Sequence, residues 1–248
     1  MNLQRLIEEF SSRSRQCESQ AELFSLTEAA ARELGFSKIA IVHGLWFRCP
    51  GRRLIRLDNF GEWADIFIER KYYLDDPALL ACQRINTAFS WTMMRDLILF
   101  TDRQERIVHE AELHGLRNGY TVPVGVLGEP HGCCSFVTGR SCLPSKTRCR
   151  AASLIGAEAF REARRLNGYP ARARYPPRLS RRKLECLRYL ALGKTDGEIA
   201  IILGLSEPTI RTYMTMLRRD FDVVSRTQLA VTALRLGLIS FDDAIPAS

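Results

Sequence analysis

"YTVPVGVLGEPHGCCSFVTG", residues 120–139, is a pair of apolar runs on either side of a turn. Residues 120–127 are mostly β-branched or aromatic, "GEPHG" supplies glycine and proline, and "CCSFVTG" resumes the run. Two such runs joined by a short turn segment predict an antiparallel hairpin. Working outward, "KIAIVHGLWF", 38–47, predicts a buried strand. Helices are predicted over 3–10, 20–35 (ending at a C-cap, Gly35), 102–117 and 144–166. A hairpin sheet flanked by helices is α+β: an N-terminal α/β/α sandwich around an antiparallel sheet.

"LNGYPARARYPPRLS", 166–180, interrupts that pattern with one glycine, three prolines and several arginines. Proline removes a donor and restrains the residue before it, so this stretch predicts a linker. The resulting division is a first domain over 1–170, a linker over 171–178 and a second domain over 179–248. Beyond the linker the pattern is all-α. "RRKLECLRYLALGK" ends at Gly193 and "DGEIAIIL" ends at Gly204; "SEPTIRTYMTMLRRDFD" starts at an N-cap serine, Ser206, and "SRTQLAVTALRLGLI" at Ser225.

Composition narrows the class. The 248 residues suffice for two modest domains, with 46% hydrophobic and 26% charged residues. No apolar run reaches membrane-spanning length, and the N-terminus lacks the apolar core of a signal peptide, so the expected location is the cytoplasm. The eight cysteines (17, 49, 82, 133, 134, 142, 149, 186) form no CxxC pair and no zinc-type spacing with histidine. In a strand Cys133 and Cys134 would point to opposite faces, so they are expected to be buried thiols rather than ligands. No cofactor is expected. Net charge is +8, and from Ala171 onward 13 basic residues face 8 acidic ones. That excess favours a polyanionic partner.

Residues 196–221 decide what the partner is. A short helix, the turn "LGLS" and a longer helix make a helix-turn-helix. Ile210, Met214, Leu217 and Phe221 repeat at helical spacing and should face the core, leaving Thr209, Arg211, Thr212, Tyr213, Thr215, Arg218 and Arg219 on other faces. Arginine takes guanine bidentately and threonine meets a base or a thymine methyl, while the later arginines suit phosphates. The span 179–239 resembles the LuxR-type DNA-binding domain, with Leu187, Gly193, Lys194, Glu198, Ile199, Ala200, Thr209, Ile210, Ser225, Arg226, Thr227 and Gln228 matching its pattern. The resemblance implies base contacts from Arg211 and Thr215, a homodimer on double-stranded promoter DNA, and RNA polymerase as a further partner. It departs at Lys183, where the family usually carries a glutamate that supports packing.

The first domain shows no βα repeat of the phosphate-receiver kind. "EWADIFIERKYYLDDP", 62–77, instead places Trp63, Ile66, Phe67 and Leu74 on roughly one helical face and ends with Asp76 before a proline. The plain reading is a core tryptophan and a capping aspartate. Together with "NFGEW" (59–63), "FSW" (89–91), "GLRNGYTVPV" (115–124) and "GCCSF" (132–136), however, the segment resembles the acyl-homoserine-lactone-binding domain of quorum-sensing regulators. That resemblance implies that Trp63 donates to the lactone carbonyl, Asp76 accepts from the ligand amide, Trp91 packs over the lactone ring and Ser135 donates to the acyl carbonyl. An acceptor-only carboxylate and a donor-only indole divide the needs of such a head group. Phe60 and Phe67 stand where the family usually has tyrosines. The missing hydroxyls imply an acyl chain without a 3-oxo group: plain, branched or aryl. The same change is compatible with a non-lactone ligand, and the alternative reading is a ligand-independent regulator that acts by dimerising. A lactone hydrolase is disfavoured, because the sequence has no HxH metal run and no GxSxG, and its four histidines (43, 109, 114, 131) lack ligand spacing. The helix at 144–166 is the candidate dimer surface.

Overall fold

The computed structural model describes residues 2–44, 54–126, 129, 131–169 and 178–244. The end of the predicted strand at 45–47, Cys49, most of the hairpin turn and nearly all of the linker lie outside the described residues. The chain forms two compact units, each with its own core.

The first unit contains α1 (Leu3–Gln16), α2 (Gln20–Leu34), β1 (Lys38–His43), β2 (Ile55–Asp58), α3 (Glu62–Glu69), α4 (Pro77–Ala81), β3 (Phe89–Ser90), α5 (Met94–Leu97), α6 (Asp102–Leu113), β4 (Asn118–Val124), β5 (Gly132–Thr138) and α7 (Lys146–Leu166). Its five strands run in the order β2-β1-β5-β4-β3, every neighbouring pair antiparallel. The predicted hairpin is β4–β5, paired from Asn118↔Thr138 to Val124↔Gly132.

Side chains alternate across a strand, so this register assigns two faces. Ile39, Ile41, Ile55, Val122, Cys134 and Phe136 point to one face and join Phe10, Leu23, Leu34, Ile155 and Phe160 in the main core, under α1, α2 and α7. Ala40, Val42, Arg56, Asp58, Cys133 and Ser135 point to the other face, opposite α3 to α6, and line a cavity there. The layers are therefore helix, sheet, helix.

Several element ends differ from the sequence expectation. Gly35 closes α2 in a left-handed conformation at φ 94°, as expected. The helix predicted over 102–117 stops at Leu113, because Gly115 turns left-handed at φ 79°. Helix α1 continues past residue 10 to Gln16, tied to α7 by the Ser11 hydroxyl donating to Glu158 at 2.9 Å. The 62–76 segment is not one helix. Lys71, left-handed at φ 56°, ends α3, and a 3-10 turn at 72–74 leads to α4. Leu74 is consequently 47% exposed instead of sharing the buried face of Trp63.

The second unit is all-α among the described residues: α8 (Arg181–Ala191), α9 (Asp196–Leu203), α10 (Glu207–Asp220) and α11 (Arg226–Arg235). Each helix begins at a hydroxyl cap: Ser180, Thr195, Ser206 and Ser225. Thr195 with Glu198, and Ser225 with Gln228, form full capping boxes. Ile210, Met214 and Leu217 are buried as expected, whereas Phe221 is only half-buried, since it is the C-cap and packs on the margin of the core.

Candidate functional site

The first unit holds a cavity of about 90 Å³ whose walls are mostly apolar. All six residues implied by the resemblance line it: Phe60, Trp63, Phe67, Asp76, Trp91 and Ser135. They come from the loop after β2, α3, the cap of α4, the turn after β3, and β5, elements that only the fold brings together.

Asp76 caps a helix and lines the cavity at once. It is the N-cap of α4, accepting from Leu79 N at 2.8 Å, and it also lines the cavity. Its intermediate exposure is compatible with opening onto that cavity, while the protein around it desolvates the carboxyl and pushes its pKa up to about 6. The backbone N–H groups of Leu79 and Ala78 pull the other way and do not prevail. Trp63 is 4% exposed and packs its ring near Phe67, Tyr72 and His114, at centroid distances of 6.2, 5.8 and 5.7 Å.

Trp91 is held differently. Its Nε1 donates to Thr121 Oγ1 at 2.9 Å, and Thr121 Oγ1 lies 2.9 Å from Ser135 Oγ. This chain fixes the ring and the serine on one wall. The ring lies on Gly119, where an added methyl group would overlap the indole carbons. Sequence reasoning missed Gly119, Thr121, Arg56 and Asp58. Strand alternation in "NGYTVPV" and "IRLD" marks which residues share a face, but which face meets the cavity depends on non-local register.

Cys133 and Cys134 do point to opposite faces, the first onto the cavity and the second into the main core. Cys17, Cys82, Cys149 and Cys186 are also buried and free, while Cys142 is exposed. Burial pushes the Cys134 thiol up.

In the second unit Gly204, left-handed at φ 64°, makes the sharp turn between α9 and α10. Arg211, Thr212, Thr215 and Arg219 are exposed on α10, and Thr209 and Arg218 are half-buried. Arg211 lies 2.5 Å from Glu207, one turn earlier. Two hydroxyls are engaged locally: Thr209 with Ser206 at 2.8 Å, and Thr212 donating to the Pro208 carbonyl at 2.9 Å. Arg226 bonds to Asp196 and to the Lys194 carbonyl, tying the start of α11 to the start of α9. Lys183 pairs with Asp220 at 2.9 Å, a half-buried link between α8 and the end of α10. A contact between those two helices thus exists with a base at position 183.

The first unit holds a cavity between a sheet and a helical layer, and the second carries a basic helix-turn-helix, the two parts of a transcriptional regulator with a small-molecule-binding domain. The family described as "Autoinducer binding domain" matches residues 19–162, and "Bacterial regulatory proteins, luxR family" matches 177–233. The chain belongs to this family: it is a LuxR-type quorum-sensing transcriptional regulator, of a class that is not enzymatic. It is 29% identical over 227 residues to the HTH-type quorum-sensing regulator RhlR of Pseudomonas aeruginosa, covering 88% of this chain and 89% of that one. The y4qH protein of Sinorhizobium fredii is 28% identical over 180 residues, 71% of this chain and 54% of that longer protein. In fold, the chain is similar to SdiA in complex with octanoyl-rac-glycerol, with a TM-score of 0.63, 22% identity, and coverage of 96% of this chain and 97% of that one. No described helix is long and apolar enough to cross a membrane.

Proposed function

We propose that this regulator encloses an acyl-homoserine lactone without a 3-oxo group in the first domain (1–170) and reads promoter DNA as a homodimer through the second (179–248). The observation that carries the ligand half is the pairing of Asp76 and Trp63 in the wall of one apolar cavity. A buried amide N–H or carbonyl left unpaired costs about 1–3 kcal/mol. Asp76 accepts from the ligand amide, and the Trp63 indole donates to the lactone carbonyl. Trp91 covers the ring, and Ser135, held by Thr121, donates to the acyl carbonyl. Binding shifts the dimer between states, with α7 as its surface.

The test is mass spectrometry of the small molecule that co-purifies when the protein is made with a mixture of lactones. A co-purified acyl lactone is expected. Recovery of an acylglycerol alone would favour the second reading, a non-lactone acyl ligand, which the acylglycerol bound by the structurally similar SdiA brings into view.

Phe60 and Phe67 line the cavity and offer no hydroxyl. Phe67→Tyr is therefore expected to raise the affinity for a 3-oxo lactone over the plain lactone by about tenfold, the worth of one hydrogen bond. Competition binding measures this ratio; an unchanged ratio refutes the assignment of Phe67 to the acyl-carbonyl region.

On the DNA side, Arg211 leaves its exposed pair with Glu207 to contact a base, a small cost for a surface ion pair. Arg211→Ala is expected to weaken operator binding about tenfold or more and to relax selectivity at one position. Arg219→Ala is expected to weaken all sequences alike and to lower the salt slope by about one. Fluorescence anisotropy on matched and mutated operators at several salt concentrations separates the two.

A further inference from the structure

Arg56 and Asp58 place an ion pair in the wall of the mostly apolar cavity, apart from Asp76 and Ser135. Arg56 Nε lies 2.8 Å from Asp58 Oδ2, with the side chains 29% and 12% exposed. Asp58 Oδ1 accepts from the Phe60 N–H at 3.3 Å. The register sets Asp58 opposite Ala40 and Arg56 opposite Val42, so both side chains share the face of Ser135 and Cys133. A charged pair on a sheet edge ordinarily faces water. Here both side chains share the face that lines the cavity and are only partly exposed, so their remaining hydrogen-bonding capacity is within reach of a molecule in the cavity. Guanidinium has five N–H donors, and among the described residues only Nε is engaged.

We propose that this pair is a distal subsite for a hydroxyl at the far end of the ligand's acyl chain. The inference rests on the lactone reading above and deepens it. The pair is neutral as a unit, so it suits a neutral group that both accepts and donates. The hydroxyl oxygen accepts from the Arg56 Nη groups and its O–H donates to an Asp58 carboxylate oxygen; a carboxylate would be repelled by Asp58. Position supports the same end of the ligand. Asp58, Ala40 and Ser135 form one cross-strand row. Two strand spacings, about 10 Å, separate the acid from the serine assigned to the acyl carbonyl. That distance is spanned by an extended chain of roughly eight carbons or an aryl chain of equal length. Ala40, the small residue between them, leaves the path open.

The experiment is calorimetric titration of the full-length chain with two lactones of equal acyl length, one plain and one bearing a terminal hydroxyl. The native protein is expected to prefer the hydroxylated ligand by about tenfold. Arg56→Met, which keeps the length of the stem, is expected to reverse that preference. Asp58→Asn keeps the shape and is expected to reduce it, and decides the matter if Arg56→Met does not fold. Equal binding of both lactones to the native chain, or an unchanged preference in Asp58→Asn, overturns the subsite and leaves the lactone reading standing. Binding of neither lactone overturns the lactone reading and the subsite with it.

Discussion

Asp76→Asn is expected to be more stable than the native chain at pH 7 in the absence of ligand, and to bind the amide-bearing ligand about thirtyfold or more weakly. Burial raises the Asp76 carboxyl from 3.8 to about 6. The folded state therefore holds the proton more tightly than the unfolded state. Below the unfolded value both states are protonated and the acid costs nothing. Between about 4 and 6 the unfolded state loses its proton first, and stability falls as pH rises. Above about 6 the full penalty is present, on the order of 3 kcal/mol. Asparagine keeps the capping acceptor for Leu79 N and carries no charge, so thermal unfolding should show both a higher midpoint and a flatter slope between pH 4 and 6.

The ligand sees the opposite balance. A charge-assisted bond from its amide requires the ionised carboxylate. Native affinity should thus be constant above about pH 7 and fall about tenfold for each unit below 6, with proton uptake by the free protein in that range. In Asp76→Asn this pH dependence should vanish. Weakened binding with the pH profile intact would show that another group titrates, and that Asp76 only caps α4. The stability given up by burying this acid is then recovered only with ligand in place, which makes the free receptor less stable than the loaded one.

How much of this was legible beforehand follows from the range of each interaction. Caps are local, so Gly35, Ser206, Ser225 and the helix-turn-helix could be read from residues within a turn of one another. The hairpin was legible because its strands are adjacent in sequence. The break at Lys71 was not, because a lysine carries no signal for a left-handed conformation that its surroundings impose. "IRLD" alternates charge and apolar side chains as a solvated edge strand does, and only its pairing with Ala40 and Val42 turns Arg56 and Asp58 inward. Lys183 looked like a loss, because its partner, Asp220, lies 37 residues away in sequence.

Gly119 is the clearest of these non-local positions, and Gly119→Ala is expected to cost about 2–4 kcal/mol of stability and to abolish detectable ligand binding. The glycine lies within β4, where its backbone is not left-handed and alanine is conformationally acceptable. The objection is steric: the added methyl would occupy the space of the Trp91 indole. The ring cannot simply slide, because its N–H is anchored on Thr121, which in turn holds Ser135. Moving it breaks that bond and drives the indole into the cavity where the ligand head would sit. If this account is right, the damage resides in one pair of residues. Trp91→Ala in the Gly119→Ala background should then restore much of the lost stability without restoring binding, and a double-mutant cycle should give a coupling of about 1–3 kcal/mol. Additive effects of the two substitutions, or native affinity in Gly119→Ala, would mean that the indole does not wall this cavity in solution.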